Sequence, residues 1–200
     1  MRRFDSSPGG PYHAPAMGNP LQHRRTPLEL AASSQAFEIY EKLRNFERLF
    51  AIVEADLSAL DPDRLPAAWQ GASVQGELSF GFVDAQRSLP AVAGVVAVTI
   101  DAVCQRCLEP MQLPLQAELQ YVFAAAGAVV ASGGDYEVWD LEEETLRPLD
   151  VVEEALIMAM PLAALHVDDP SCQAPEAQAA EAGGRVRPFA SLKAQLDKEN

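Results

Sequence analysis

Cys104-Gln105-Arg106-Cys107 is the segment best suited to chemistry. Two thiolates separated by two residues can face one metal ion, and that spacing supplies half of a structural zinc site. Such a site takes four ligands. The downstream candidates are His166 and Cys172, in the pattern His-x5-Cys. Between Cys107 and His166 lie 58 residues, so spacing alone does not bring the two halves together. A redox role is weaker. Thioredoxin-type pairs sit at a helix start, where the dipole lowers the thiol pKa, whereas this pair follows a β-branched run and precedes Leu108-Glu109-Pro110. On sequence alone the favoured reading is the plain one: two reduced cysteines at the end of a hairpin. No cofactor is therefore expected, with zinc on Cys104, Cys107, His166 and Cys172 as the alternative. Arg106, between the two thiols, is a candidate contact for phosphate or acid, although most lone arginines are simply solvated.

Other residues that could do chemistry are less organised. The acidic run at 140–144 offers carboxylate oxygens of the kind Mg²⁺ takes. Neighbouring side chains aim in several directions, however, so a solvated loop is the expectation. There is no Gly-Xaa-Ser-Xaa-Gly, no phosphate loop ending Gly-Lys-Ser/Thr and no His-Glu-Xaa-Xaa-His, so the common catalytic motifs are missing. A cysteine nucleophile with His166 as base has no support from spacing. The chain is not expected to be an enzyme.

Charge limits the partners. The net charge is -14, and it is unevenly spread: +3 over residues 1–27, -7 over 28–133, -12 over 134–181 and +2 over 182–200. Proteins that hold nucleic acid by neutralising phosphates are usually basic. Contact with RNA would therefore fall to the ends or to a local patch: Arg24, Arg25, Arg106, Arg185, Arg187 and Lys193. A basic protein partner is at least as easy to motivate. No apolar run approaches the roughly 20 residues of a membrane helix. The arginines near the start are not followed by the apolar stretch of a secretory signal, so the cytoplasm is the expected compartment. Three cysteines without an export signal do not form a disulfide framework.

With hydrophobic residues at 48 % and charged residues at 22 %, the chain can build one core. Residues 1–23, rich in Pro, Gly, Ser and His, are expected to be a disordered basic tail, and residues 24–165 the domain. Within it, Thr26 to Leu30 suggests a short strand. Phe37, Tyr40, Leu43 and Phe46 suggest an amphipathic helix over 36–49, and a strand is expected over 50–57. Alternation marks strands at 74–82 and 113–123, and β-branched residues mark a third over 92–103. The last two of these are expected to pair as an antiparallel hairpin. Asp150 and Glu153 suggest a capping box opening a helix, with its apolar face on Val152, Ala155, Leu156 and Ala159. Residues 166–187 look like a flexible linker, and 188–200 contain a short helix with Phe189, Leu192 and Leu196 on one face. That helix either packs back on the domain or serves as a tethered recognition helix. The expected class is α+β, an antiparallel sheet or small barrel with a few flanking helices.

Three segments resemble the YceD family: Val-Thr-Ile-Asp-Ala-Val-Cys-Gln-Arg-Cys-Leu-Glu-Pro at 98–110; Leu-Asp-Val-Val-Glu-Glu-Ala-Leu-Ile-Met-Ala-Met-Pro at 149–161, followed by His166 and Cys172; and Arg-Pro-Phe-Ala-Ser-Leu-Lys at 187–193. They come in the family's order, and the likeness covers about residues 24–196. The resemblance implies a role in synthesis, processing or stability of 23S ribosomal RNA in bacteria and plastids, with no known catalytic activity. It implies as partners the precursor of 23S rRNA or the proteins that assemble the large subunit, and neither DNA nor membrane. Some members carry additional cysteines near the position of Cys172. Three functions therefore compete: an accessory factor of large-subunit production, a direct RNA-binding module, and a zinc- or thiol-dependent redox protein.

Overall fold

The computed structural model describes residues 19–125, 136–167 and 172. Its centre is a hairpin. Strand β3 (Pro90–Val103) and strand β4 (Pro110–Ala125) pair antiparallel in an unbroken register from Ala91–Val122 to Val103–Pro110. Both alternate, with Val96, Val98 and Ile100 buried on β3 and Leu115, Ala117 and Leu119 on β4. Strand β2 (Ser73–Phe82) joins the other side of β3, and β1 (Ala36–Lys42) joins β2, both antiparallel. Gly76 and Gly94 let β2 and β3 approach closely: a Cβ on either would lie 2.2 Å from a carbonyl oxygen of the facing strand. Strand β5 (Glu137–Leu141) adds parallel to β4. The order β1-β2-β3-β4-β5 leaves β1 and β5 as edges among the described residues, so the sheet is open and not a barrel.

Three helices cover one face: α1 (Pro27–Ala32), α2 (Glu47–Leu57) and α3 (Pro148–Met158). Leu30, Leu49, Val53, Leu57, Val152 and Leu156 enter the same core as the sheet's inner residues. The opposite face carries the row Glu38, Glu77, Val95 and Glu118, aligned by strand register and exposed. The class is thus the α+β one expected, as a two-layer arrangement. No described helix is long and apolar enough to cross a membrane.

The expected strands β2, β3 and β4 and their hairpin are found. The elements before them are exchanged. Residues 36–42 form strand β1, not a helix, because Phe37 and Ile39 alternate inward while Tyr40 is left 71 % exposed. Period two there prevailed over the spacing of three, since pairing with β2 satisfies the backbone. Residues 47–57 form helix α2, not a strand, because Leu49, Val53 and Leu57 recur every four residues and all are buried. Thr26 to Leu30 is likewise no strand. Thr26 accepts from the Glu29 N–H and Glu29 from the Thr26 N–H, a complete capping box that starts α1 with Pro27 at its first position. Ahead of Arg24, Leu21 is already buried, within a short 3₁₀ turn over Pro20–Gln22. Part of the expected acidic loop is strand β5.

The expected capping box of α3 is also replaced. Asp150 pairs with Arg147, and Glu153 turns away from its own helix. Its carboxylate accepts from the Arg48 N–H at 2.7 Å and the Leu49 N–H at 3.1 Å, so α3 caps the N-terminus of α2. Those N–H groups have no partner within their own helix. The Glu153 side chain is 7 % exposed and also receives the Arg48 guanidinium at 3.3 Å. Glu153→Ala should lower unfolding stability by about 2–4 kcal/mol, because one buried and one part-buried helix-end donor lose their acceptor. Arg48→Ala should cost less than about 1 kcal/mol, since that guanidinium faces solvent. Equal losses in denaturant titrations would show that the ion pair, not the cap, holds the helices together.

Candidate metal centre

The turn between β3 and β4 is built to aim thiols. The Val103 N–H donates to the Asp56 carboxylate of α2 at 2.7 Å, which fixes the end of β3. The Cys104 N–H bonds the Glu109 carbonyl at 2.9 Å, and the Leu108 N–H bonds the Cys104 carbonyl at 2.8 Å. These bonds close a tight loop over Cys104-Gln105-Arg106-Cys107. Leu108 completes it with φ of 61°, in the left-handed region that favours glycine. Arg64 braces the outside, donating to the Leu108 carbonyl at 3.2 Å and pairing with Glu109. The Gln105 N–H then bonds the Ala164 carbonyl at 2.9 Å. That bond holds the segment after α3 against the turn.

The consequence is a convergence that spacing could not reveal. The donor atoms of Cys104, Cys107, His166 and Cys172 all lie within 4.8 Å of one another. Cys104 Sγ is 3.6 Å from Cys172 Sγ, and Cys107 Sγ is 3.4 Å from His166 Nδ1. Cys104 and Cys172 are buried, while Cys107 and His166 are half-buried. Around a tetrahedral zinc with bonds of about 2.3 Å to sulfur and 2.0–2.1 Å to nitrogen, donor atoms stand roughly 3.5–3.8 Å apart. The two observed pairs, at 3.6 and 3.4 Å, come close to that spacing. Three cysteines and one histidine also form one of the usual donor sets of structural zinc. Two of the four donors come from the segment expected to be a flexible linker, where His166 and Cys172 are instead packed against the hairpin tip.

The electrostatics of the cluster suit a cation. Burial pushes the Cys104 thiol up, yet hydrogen bonds from the backbone of Cys107, Arg106 and His166 outweigh it and carry the pKa down to about 5. Cys172 is pushed up to about 11 by burial, by its hydrogen bonds to Cys104 and Cys107, and by their negative charge. One thiolate is therefore stabilised while its neighbour holds its proton. A divalent cation removes that conflict by taking all the sulfurs as thiolates.

Of the described candidates for RNA contact, Arg24 and Arg25 are engaged within the chain. Arg24 pairs with Glu143 and donates to Thr145 at 3.3 Å. Arg25 donates to Gln35 at 2.6 Å, and its backbone bridges to Leu146. Arg106 is exposed on the cysteine turn. Arg185, Arg187, Phe189, Leu192, Lys193 and Leu196 lie outside the described residues, as does most of the expected linker. Sequence reasoning missed Asp56, Arg64 and Glu109, which position the turn. Only the nearness of Glu109 to Cys107 could have hinted at one of them.

A two-layer α+β protein with a four-donor cluster at its hairpin tip is the class that these features define. The chain belongs to the YceD family: the family described as large ribosomal RNA subunit accumulation protein YceD matches over residues 92–195. That span contains all but the first two residues of β3, and β4, β5, α3 and all four donors. No curated protein and no solved structure matches the chain. The family ties the chain to accumulation of the large ribosomal RNA.

The donor set predicts uptake of one Zn²⁺ per chain, read by elemental analysis of protein purified without chelator. Substituting any single donor, for example Cys172→Ser or His166→Ala, should weaken retention at least about tenfold. Chelation should lower the melting temperature of the parent protein. Sub-stoichiometric metal in the parent, or equal retention in every variant, would refute a shared site.

Proposed function

We propose that the protein is a non-enzymatic accessory factor in the synthesis, processing or stability of 23S ribosomal RNA, with Cys104, Cys107, His166 and Cys172 holding a structural Zn²⁺. The observation that carries this reading is the family match, which spans both halves of the donor set. Zinc there would tie the β3–β4 turn to the segment after α3. A site with four protein donors keeps no open position for a substrate, which is the mark of a structural centre. The burial of Cys104 and Cys172 argues in the same direction, since thiols that exchange with substrates need access.

Protein contacts suit the molecule better than direct phosphate contacts. The exposed sheet face carries Glu38, Glu77 and Glu118, and Arg24 is engaged by Glu143. Direct RNA binding would show as an affinity that falls steeply with salt.

A strain lacking the gene should show a selective fall in the ratio of 23S to 16S ribosomal RNA, restored by the wild-type gene. A paired Cys104→Ser/Cys107→Ser variant should restore it poorly, and immunoblotting would show whether that variant accumulates. An unchanged ratio across growth rates and temperatures would refute the assigned role. Full restoration by the paired variant would refute the need for zinc while leaving the role intact.

A further inference from the structure

Further along β4, away from the cysteine turn, an open groove of about 820 Å³ runs between α3 and the β4–β5 edge. Its apolar lining includes Tyr121, Trp139, Val138 and Met158. Met158 is 73 % exposed and Val138 41 %, although both stand beside buried core. Trp139 lies edge-on to Tyr121, with ring centroids 5.3 Å apart, which makes a firm aromatic wall. Unpartnered apolar surface of this kind marks an interaction site when polar groups rim it.

The rim is strongly one-signed. Glu118, Glu137, Asp140, Glu142, Glu143, Asp150 and Glu154 all line the groove, against Arg24 and Arg48. Both arginines are already committed, Arg24 to Glu143 and Arg48 to Glu153 and Glu154, while Asp150 pairs with Arg147. Glu118, Glu137, Asp140 and Glu142 have no ion pair among the described residues. The field reaches the groove wall: burial, followed by the charges of Glu137 and Glu154, raises the Tyr121 hydroxyl above its ordinary pKa. Beside the rim, β5 offers its outer backbone edge, since it ends the sheet among the described residues. A free strand edge can take an extended peptide by hydrogen bonding, with adjacent pockets reading its side chains.

We propose that this groove binds an extended, lysine- and arginine-rich segment of a partner protein, which carries an apolar anchor for the Trp139–Met158 floor. Charge complementarity selects the occupant. Phosphate would meet the unpaired carboxylates unfavourably, so a nucleic acid does not fit, whereas basic side chains would neutralise them. The apolar floor supplies what a purely electrostatic contact lacks, a desolvated centre inside a charged rim. The inference rests on the groove alone and not on the metal centre.

Fluorescence anisotropy of the full-length protein, purified without chelator, with a labelled peptide alternating Arg or Lys with Leu tests it. The peptide should bind saturably. A Leu-to-Ser version and an acidic version should each bind at least about tenfold more weakly. Glu137→Lys/Asp140→Lys and Met158→Ala should weaken binding by about the same factor, while Glu38→Lys/Glu77→Lys on the far face of the sheet should leave it nearly unchanged. Equal weakening by the far-face pair would overturn the proposal in favour of general charge attraction. Tighter binding after Arg185→Glu/Arg187→Glu/Lys193→Glu would overturn it in favour of the chain's own basic end. A dimer dispersed by Met158→Asp, or no binding of any basic peptide, would overturn it outright.

Discussion

The antiparallel ladder between β3 and β4 is the constraint on which the other features rest. Its unbroken register sets where the hairpin turns, and therefore where the two thiols of Cys104 and Cys107 stand. The same register presents Glu118 and Tyr121 of β4 to the groove beside β5. A slip of one residue would send Leu115, Ala117 and Leu119 to solvent and bring Glu118 inward, so burial holds the register strongly. Gly76 and Gly94 extend that order to β2, where any side chain would strike a carbonyl. Both candidate surfaces thus take their geometry from one hairpin.

Negative charge is handled in three ways in this molecule. Glu153 is buried, and it is satisfied by the helix end it caps. In the thiol cluster Cys104 and Cys172 are buried, and the backbone donors favour the Cys104 thiolate while Cys172 is pushed the other way, a conflict that a shared cation would relieve. Glu118, Glu137, Asp140 and Glu142 beside the groove stay exposed and have no ion pair among the described residues. The first arrangement stabilises the fold by itself. The other two would be completed from outside the chain, by an ion at the proposed zinc site and by a basic segment in the proposed groove.

Much of this was legible in the residues, and the failures have physical causes. Strands β2, β3 and β4 are long, alternating and flanked by turn residues, so local pattern and tertiary demand agree. Residues 36–57 carried two competing periods, and pairing with β2 decided between them. Thr26-Pro27-Leu28-Glu29 spelled a helix start, but a run of so few residues also passes for a strand. Strand β5 is short and half-exposed on the edge of the sheet, so its acids read as a solvated loop. The four donors were each identifiable by type. Their meeting was not, because it depends on where α3 delivers the chain, and that is set by Glu153 and the core. The groove was equally hidden, since it joins residues of β4, β5 and α3 that no spacing relates.

The 68-residue separation of Cys104 and Cys172 carries a consequence for how the molecule assembles and comes apart. A bridge at those positions encloses β4, β5 and α3 in one loop. By the chain-entropy treatment used for covalent cross-links, closing a loop of that length removes about 4 kcal/mol of freedom from the unfolded ensemble. Such a gain resides in the denatured chain and would be invisible in any inventory of folded contacts. The hairpin is made of near neighbours and can form early, whereas the thiol and imidazole groups meet only after α3 has docked. With a zinc ion bound as proposed, closure of that loop would come late in assembly, after the hairpin has formed.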